Sequence, residues 1–394
     1  MRGIFVALLD QKEQRFMRVL LSSTPLAGHL IPLLPLARAF RERGDNVALV
    51  TGSSAVPFVA DEEIEFLPAG PELEAMFKEV LRTTGHDLME QGPTVETEAE
   101  LFASARVDLT IDDALAQARA WEPDLILSEH FDFIGPLVGA VLGVPAASLA
   151  FGVAMLPETV EATTARVRSR YKARGLAYAP ARWYLDTCPP ALQRPGWEAP
   201  EGRIALRPEP HRKPGQEVPA RTQRGDRRPR VLVSFGTVFS SSQAVGPLLR
   251  ALLEQDVDVR VTLLSSVPEE FAVDAEDRLE FAAYKPFVEL LQDVDVVLTH
   301  GGAGTVLGAL CLGIPMVVVP QGADQPIQAE RVAAAGAGIS FPLGGVAPER
   351  VAEAVREVLA ERDYRDAAEK IAAQIAEYDS SPDVAEQLAA ALAR

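Results

Sequence analysis

The sequence predicts an α/β protein with two doubly wound domains facing one another across a central cleft. Three observations predict it. Strand-like and helix-like segments alternate from residue 18 to about 150, and again from 230 to about 378. A stretch rich in proline, glycine and arginine, 194–230, separates the two series. Finally, "THGGAGT" (299–305) places a histidine and three glycines between an apolar strand and a helix. Alternating strands and helices indicate parallel, doubly wound sheets. Glycines beyond what a turn requires indicate a backbone that something approaches closely.

The elements follow in order. "RVLLSS" (18–23) is a buried-strand run. "GHLIPLLPLARAFRERG" has apolar residues at helical spacing, with Gly44 as the stop. "NVALVTG" completes a βαβ opening, and "PDLILSE" (123–129), "IGPLVGAVLG" and "VPAASLA" continue it as strand, helix and strand. In the 194–230 stretch periodicity fades, and a short strand near Ile204–Leu206 is expected inside an interdomain linker. The second series opens at "RVLVSFGT" (230–237) and proceeds through "AVGPLLRALLE", "DVRVTLLSS", "LEFAAY", "FVELLQ" and "DVVLT" to the glycine turn. "PMVVVP", "QPIQAERVAAAG", two helices at about 348–361 and 364–378, and an alanine-rich terminal helix follow. The expected domains are 17–215, with the terminal helix (about 379–394) returning to it, and 230–378, joined by 216–229.

Composition bounds the function. A chain of 394 residues, 48% hydrophobic, is long enough for two cores. A net charge of -18 argues against a nucleic-acid partner, whose phosphates need neutralising. A helix terminus can still capture a small phosphorylated ligand locally. Two cysteines, Cys188 and Cys311, suit the cytoplasm and form no zinc quartet, and five scattered histidines have no metal-ligand spacing. No metal or other cofactor is expected. "GIFVALL" is cut short by "DQKEQR", so neither a transmembrane span nor a signal peptide is expected there or elsewhere. Met17 reads as a natural start, with residues 1–16 an extension. A homodimer is left open.

Ligands in open α/β sheets sit at the carboxyl ends of the strands, so the loops at 22–29, 128–133, 234–240, 300–305 and 320–325 carry the interest. At the glycine turn, free N–H groups and the positive end of a helix dipole converge. His300, Gly301, Gly302, Gly304 and Thr305 read as a diphosphate cradle; the competing reading is a turn built for tight helix packing. A dinucleotide fingerprint fails because position 307 is Leu307, and no Gly-Lys-Ser/Thr triplet closes a P-loop. The two "DVD" runs, 256–258 and 293–295, sit at strand starts, away from the cleft, and read as solvated.

"THGGAGTVLGALCLGIPMVVVPQGADQPIQAERVAAAGAG" resembles the nucleotide-sugar motif of GT-B glycosyltransferases, family 1 (UDP-glycosyltransferase-like). The resemblance is greatest to the bacterial natural-product (macrolide/enediyne-type) branch, and "PLAGHLIPLLPLARAFRERGDNVALVTG" is similar to that family's N-terminal motif. It implies two Rossmann-like domains, acceptor in the first and nucleotide-sugar donor in the second. It makes His29 the general base, an imidazole taking the proton of an acceptor hydroxyl. Its carboxylate partner is Glu129, where relatives commonly hold aspartate, or Asp132; Asp324 is a third candidate. Asp324 and Gln325 are expected on the donor sugar's hydroxyls, though Asp324 also suits a helix N-cap. Ser234, Gly236 and Thr237 flank the phosphates, Tyr284 stacks on the base, and Val288 offers backbone groups to it. Phe287 stands where plant relatives have glutamine.

The expected reaction is inverting, metal-independent transfer of a sugar, a deoxysugar by the branch resembled, from a dTDP- or UDP-sugar to a hydroxyl of a hydrophobic secondary metabolite. Two alternatives share the architecture: a nucleotide-sugar 2-epimerase and a non-catalytic nucleotide-sugar-binding auxiliary protein.

Overall fold

The computed structural model describes residues 16–218, 225–235, 242–262, 278–282 and 285–393. Among these, the first domain holds a seven-stranded sheet of β1 (Arg18–Ser22), β2 (Asn46–Thr51), β3 (Glu65–Pro68), β4 (Leu125–Glu129), β5 (Ala146–Ala150), β6 (Trp183–Asp186) and β7 (Arg203–Ala205). The second domain holds six: β8 (Arg230–Ser234), β9 (Asp258–Thr262), β10 (Leu279–Ala282), β11 (Val296–Thr299), β12 (Met316–Val318) and β13 (Gly338–Ser340). Both sheets are parallel, in the orders β3-β2-β1-β4-β5-β6-β7 and β10-β9-β8-β11-β12-β13. The order reverses between β1 and β4 in one sheet and between β8 and β11 in the other. A crevice opens at such a switch point. The register ends level there, Ser22 beside Ser128 and Ser234 beside Thr299, so both pairs of following loops converge.

The helices end as their residues dictate. Helix 34–42 stops at Arg43 and Gly44, the latter at φ +95°, where an L side chain is strained. Val384, Ala385 and Leu388 of the last helix, Ser381–Leu392, sit in one apolar cluster with Val19, Leu21 and Phe40 of the first domain. A capping box between Ser380 and Asp383 starts that helix, and Arg43 binds Glu386 at 3.2 Å. The lobes interlock: Ala303 joins the first domain's cluster, while Val153, Cys188 and Leu192 join the second's.

Three expectations change. The short strand expected near Ile204–Leu206 forms, at Arg203–Ala205, but it is not in a linker: it pairs in parallel with β6 as the sheet's edge strand. Strands β3, β6 and β13, of three or four residues, had no sequence signal long enough to read. Asp295 is buried rather than solvated, binding Arg227 (2.9 Å) and the backbone N–H of Arg230 (2.9 Å). Asp256 and Asp258 do lie at the protein's rim, paired with Arg228.

Candidate active site

A cavity of about 390 Å³ occupies the cleft, lined from the first domain by Gly28, His29, Phe151 and Thr187 and from the second by Ser234, His300, Gly304, Thr305, Asp324 and Gln325. It falls within the range typical of small-molecule sites.

His29 lies on a four-residue helix, Ala27–Leu30, straight after β1. Its Nδ1 is 3.0 Å from Glu129 Oε1 at the end of β4. An ionised carboxylate only accepts, so Nδ1 carries the proton and the lone pair is left on Nε2. Glu129 is fully buried and richly held: it also accepts from Thr24 Oγ1 (3.0 Å), Thr24 N (3.3 Å) and Phe131 N (2.6 Å). Burial alone would raise its pKa. The charge and hydrogen bond of His29, the nearby His130 and the Phe131 N–H outweigh that and hold it at about 2.

Asp132 does not join His29. It is buried against Arg106, accepting from Nη2 at 2.6 Å and Nε at 3.2 Å, and it caps the next helix through Gly135 N at 3.1 Å. Arg106 also donates to Ser23 O at 2.6 Å. The Asp132 carboxylate is thus engaged in tying the helix Arg106–Trp121 to the switch point.

Aromatic rings surround the imidazole. Phe102, Phe131 and Phe151 have centroids 5.4, 6.0 and 5.3 Å from that of His29. Phe102 lies in a π-helical turn, Leu101–Ala105, of the kind that often marks functional sites. His130, given no role from sequence, packs on Phe131 and Phe151 at 4.8 and 4.5 Å. Burial lowers its pKa to about 4 despite the opposing charge of Glu129, so it is neutral at pH 7.

Across the cleft, His300 follows β11, with Nδ1 3.3 Å from Thr299 Oγ1 and 3.5 Å from the Ser234 carbonyl. Burial pushes its pKa down, and the Ser234 carbonyl partly opposes this. The helix Ala303–Leu310 starts beside it. Each glycine of the turn has its own reason. Gly301 has φ +94°, and a Cβ there would come 2.7 Å from Val318. A Cβ on Gly302 would come 2.7 Å from His300 Nε2. At Gly304 a Cβ would meet nothing within 4 Å, and the same holds for Gly28. Packing therefore explains Gly301 and Gly302 but not Gly304, which sits in the first turn of the helix with open space before it. Gly304→Ala is expected to leave the melting temperature unchanged or higher while weakening nucleoside-diphosphate binding about tenfold, ~1.4 kcal/mol. Calorimetry beside a thermal melt checks both halves.

The remaining expected residues divide. Asp324 lines the cavity and stands at the N-cap position of helix 325–334, where its side chain makes no capping hydrogen bond; its Oδ2 accepts from Gln328 Nε2 at 3.2 Å. Burial raises its pKa, and the Gln328 hydrogen bond and the His29 charge moderate the rise. Gln325 is buried, and its Oε1 accepts from Gln321 N (2.7 Å) and Gly322 N (3.1 Å), leaving its amide hydrogens to donate. Val288 is buried and its N–H goes to His211 O at 3.0 Å, so that donor does not face a base; Lys285, Phe287 and Leu290 line the cavity instead. Gly236, Thr237 and Tyr284 lie outside the described residues. Among the described residues no group of three or more His, Cys, Asp or Glu could hold a metal ion, and no helix is long and apolar enough to cross a membrane. Thr24, Phe102, Arg106 and Gln328 escaped sequence reasoning, because their roles depend on contacts between distant segments.

Known proteins share this fold. Residues 38–236 and 248–391 match the models of the N-terminal and C-terminal domains of the erythromycin biosynthesis protein CIII-like family. The chain is 30% identical to the elloramycin glycosyltransferase ElmGT of Streptomyces olivaceus, over 94% of this chain and 97% of that one. It is 25% identical to the 3-alpha-mycarosylerythronolide B desosaminyl transferase of Saccharopolyspora erythraea, over 89% and 92%. The Streptomyces glycosyltransferase SsfS6 complexed with thymidine diphosphate superposes with a TM-score of 0.77 at 26% identity, covering 94% of this chain and 99% of that one. The rhamnosyltransferase SpnG complexed with spinosyn aglycone does so at 0.76 and 26%, covering 94% and 100%. With two doubly wound lobes, a shared cleft and family matches across both, this chain belongs to the erythromycin biosynthesis protein CIII-like family and is a GT-B glycosyltransferase of the natural-product branch of family 1.

Proposed function

We propose that this enzyme transfers a sugar, with inversion, from a thymidine or uridine diphosphate donor to a hydroxyl of a hydrophobic acceptor. The observation that carries the reading is one cavity bounded on one side by His29, backed by Glu129, and on the other by the start of helix 303–310. His29 Nε2 takes the hydroxyl proton as the acceptor oxygen bonds to the anomeric carbon and the bond from that carbon to the diphosphate breaks. Glu129, held ionised, stabilises the imidazolium that results. The electron pair of the broken bond leaves on the diphosphate, where the N–H groups at the helix start, the helix dipole and His300 stabilise it. Asp324 accepts hydrogen bonds from the sugar's hydroxyls and Gln325 donates to them. The rings of Phe102, Phe131 and Phe151 give the acceptor side an apolar, aromatic character. The thymidine diphosphate bound by SsfS6 supports a dTDP donor.

The test is a panel of dTDP- and UDP-sugars against polyketide aglycones, read by mass spectrometry, with the product anomer assigned by NMR. A retained anomeric configuration, or no product from any pair with the donor remodelled instead, overturns it. His300→Ala is expected to weaken dTDP binding about tenfold, the worth of one hydrogen bond to a charged group. Unchanged affinity by calorimetry would remove His300 from the cradle.

A further inference from the structure

Loop 150–153 of the first domain reaches across the cleft. It is pinned at home: Gly152 N donates to Thr187 Oγ1 at 3.3 Å, and that hydroxyl donates to Ala150 O at 2.8 Å. Gly152 itself has φ +90°, and a Cβ on it would come 2.5 Å from Gln328 Nε2 and 2.8 Å from Ala303 Cβ, both in the second domain. The loop therefore presses on the first residue of the phosphate-side helix and on one buried glutamine. Gln328 is 2% exposed, and its amide donates to Asp324 Oδ2 at 3.2 Å. A leucine would fill this interface with less desolvation. What glutamine adds is a donor, aimed at a carboxylate in the cavity.

We propose that Gln328 is a positioning residue: wedged by Gly152 of the opposite lobe, its amide sets the Asp324 carboxylate to receive the donor sugar. Contact between the lobes and readiness of the sugar site then become one event. This rests on the reading of Asp324 as the sugar-binding carboxylate, and the test separates the two.

Calorimetry with dTDP and with dTDP-glucose reads the sugar's share of binding as a ratio. Gln328→Leu and the isosteric Gln328→Glu are expected to weaken dTDP-glucose about five- to tenfold with dTDP unchanged, and Asp324→Asn to do the same. A merely structural glutamine would change both ligands together, and that result overturns the proposal. If Asp324→Asn moves the ratio and neither Gln328 variant does, the proposal also falls while Asp324 keeps its role. If Asp324→Asn leaves the ratio unmoved, the sugar-site reading fails first. Should Gln328→Leu prove unfolded by its thermal melt, Gln328→Glu, which conserves shape, decides alone.

Discussion

A His29→Ala enzyme is expected to turn over about a thousandfold more slowly than its parent while binding dTDP as tightly. The magnitude is that of a positioned general base, roughly 10²–10⁴ in rate. The unchanged dTDP affinity follows from position: His29 belongs to the first domain, and the helix start that would hold the diphosphate belongs to the second. Glu129→Gln is expected to lose most of the same factor. Its amide can donate to Nδ1, which favours the tautomer protonated on Nε2 and removes the lone pair a base needs. Steady-state kcat with saturating donor, paired with dTDP titration, checks the expectation. Near-parental turnover in His29→Ala would leave the imidazole without the role of base.

The largest effect on stability is expected at Arg106. Arg106→Met and Asp132→Asn each break a buried ion pair and strand its other half, at a cost of about 3–5 kcal/mol. For a domain of this size that is roughly 6–20 °C in the melting midpoint. The double variant Arg106→Met/Asp132→Asn, which leaves no charge unpaired, is expected to lose well less than the sum of the two single losses. Thermal melts of the three variants and the parent form the cycle. Additive losses would mean that the pair does not act as a unit.

These two sites show where sequence reasoning reaches and where it stops. Topology was legible, because long apolar runs alternate with helical periodicity and because catalytic loops must follow the strands that flank a switch point. That placed His29, Glu129, His300 and Asp324 in one cleft before any coordinates. The choice among Glu129, Asp132 and Asp324 was not legible. Glu129 and Asp132 are three residues apart at one strand end, and what separates them is Arg106, which arrives from a helix far away in sequence and takes Asp132. Thr24 is similar: nothing in "STPLAGH" announces that its hydroxyl and its N–H both clasp a carboxylate 105 residues on. Asp295 misled for the same reason, since a strand-start aspartate looks solvated until Arg227 closes over it. Local pattern encodes the strand and its loop; the partner waiting at the loop's end is a property of the folded chain.

The terminal helix carries a practical consequence for engineering. Because Val384, Ala385 and Leu388 pack into the core of the opposite lobe, the polypeptide crosses between lobes near the junction before β8 and again just before Ser380. A chimera that borrows a relative's second lobe by a single splice would import a foreign tail into a groove shaped for this one. Two splices, with the tail kept from the same parent as the first lobe, preserve that seam, and the difference should be visible as soluble yield before any catalysis is measured.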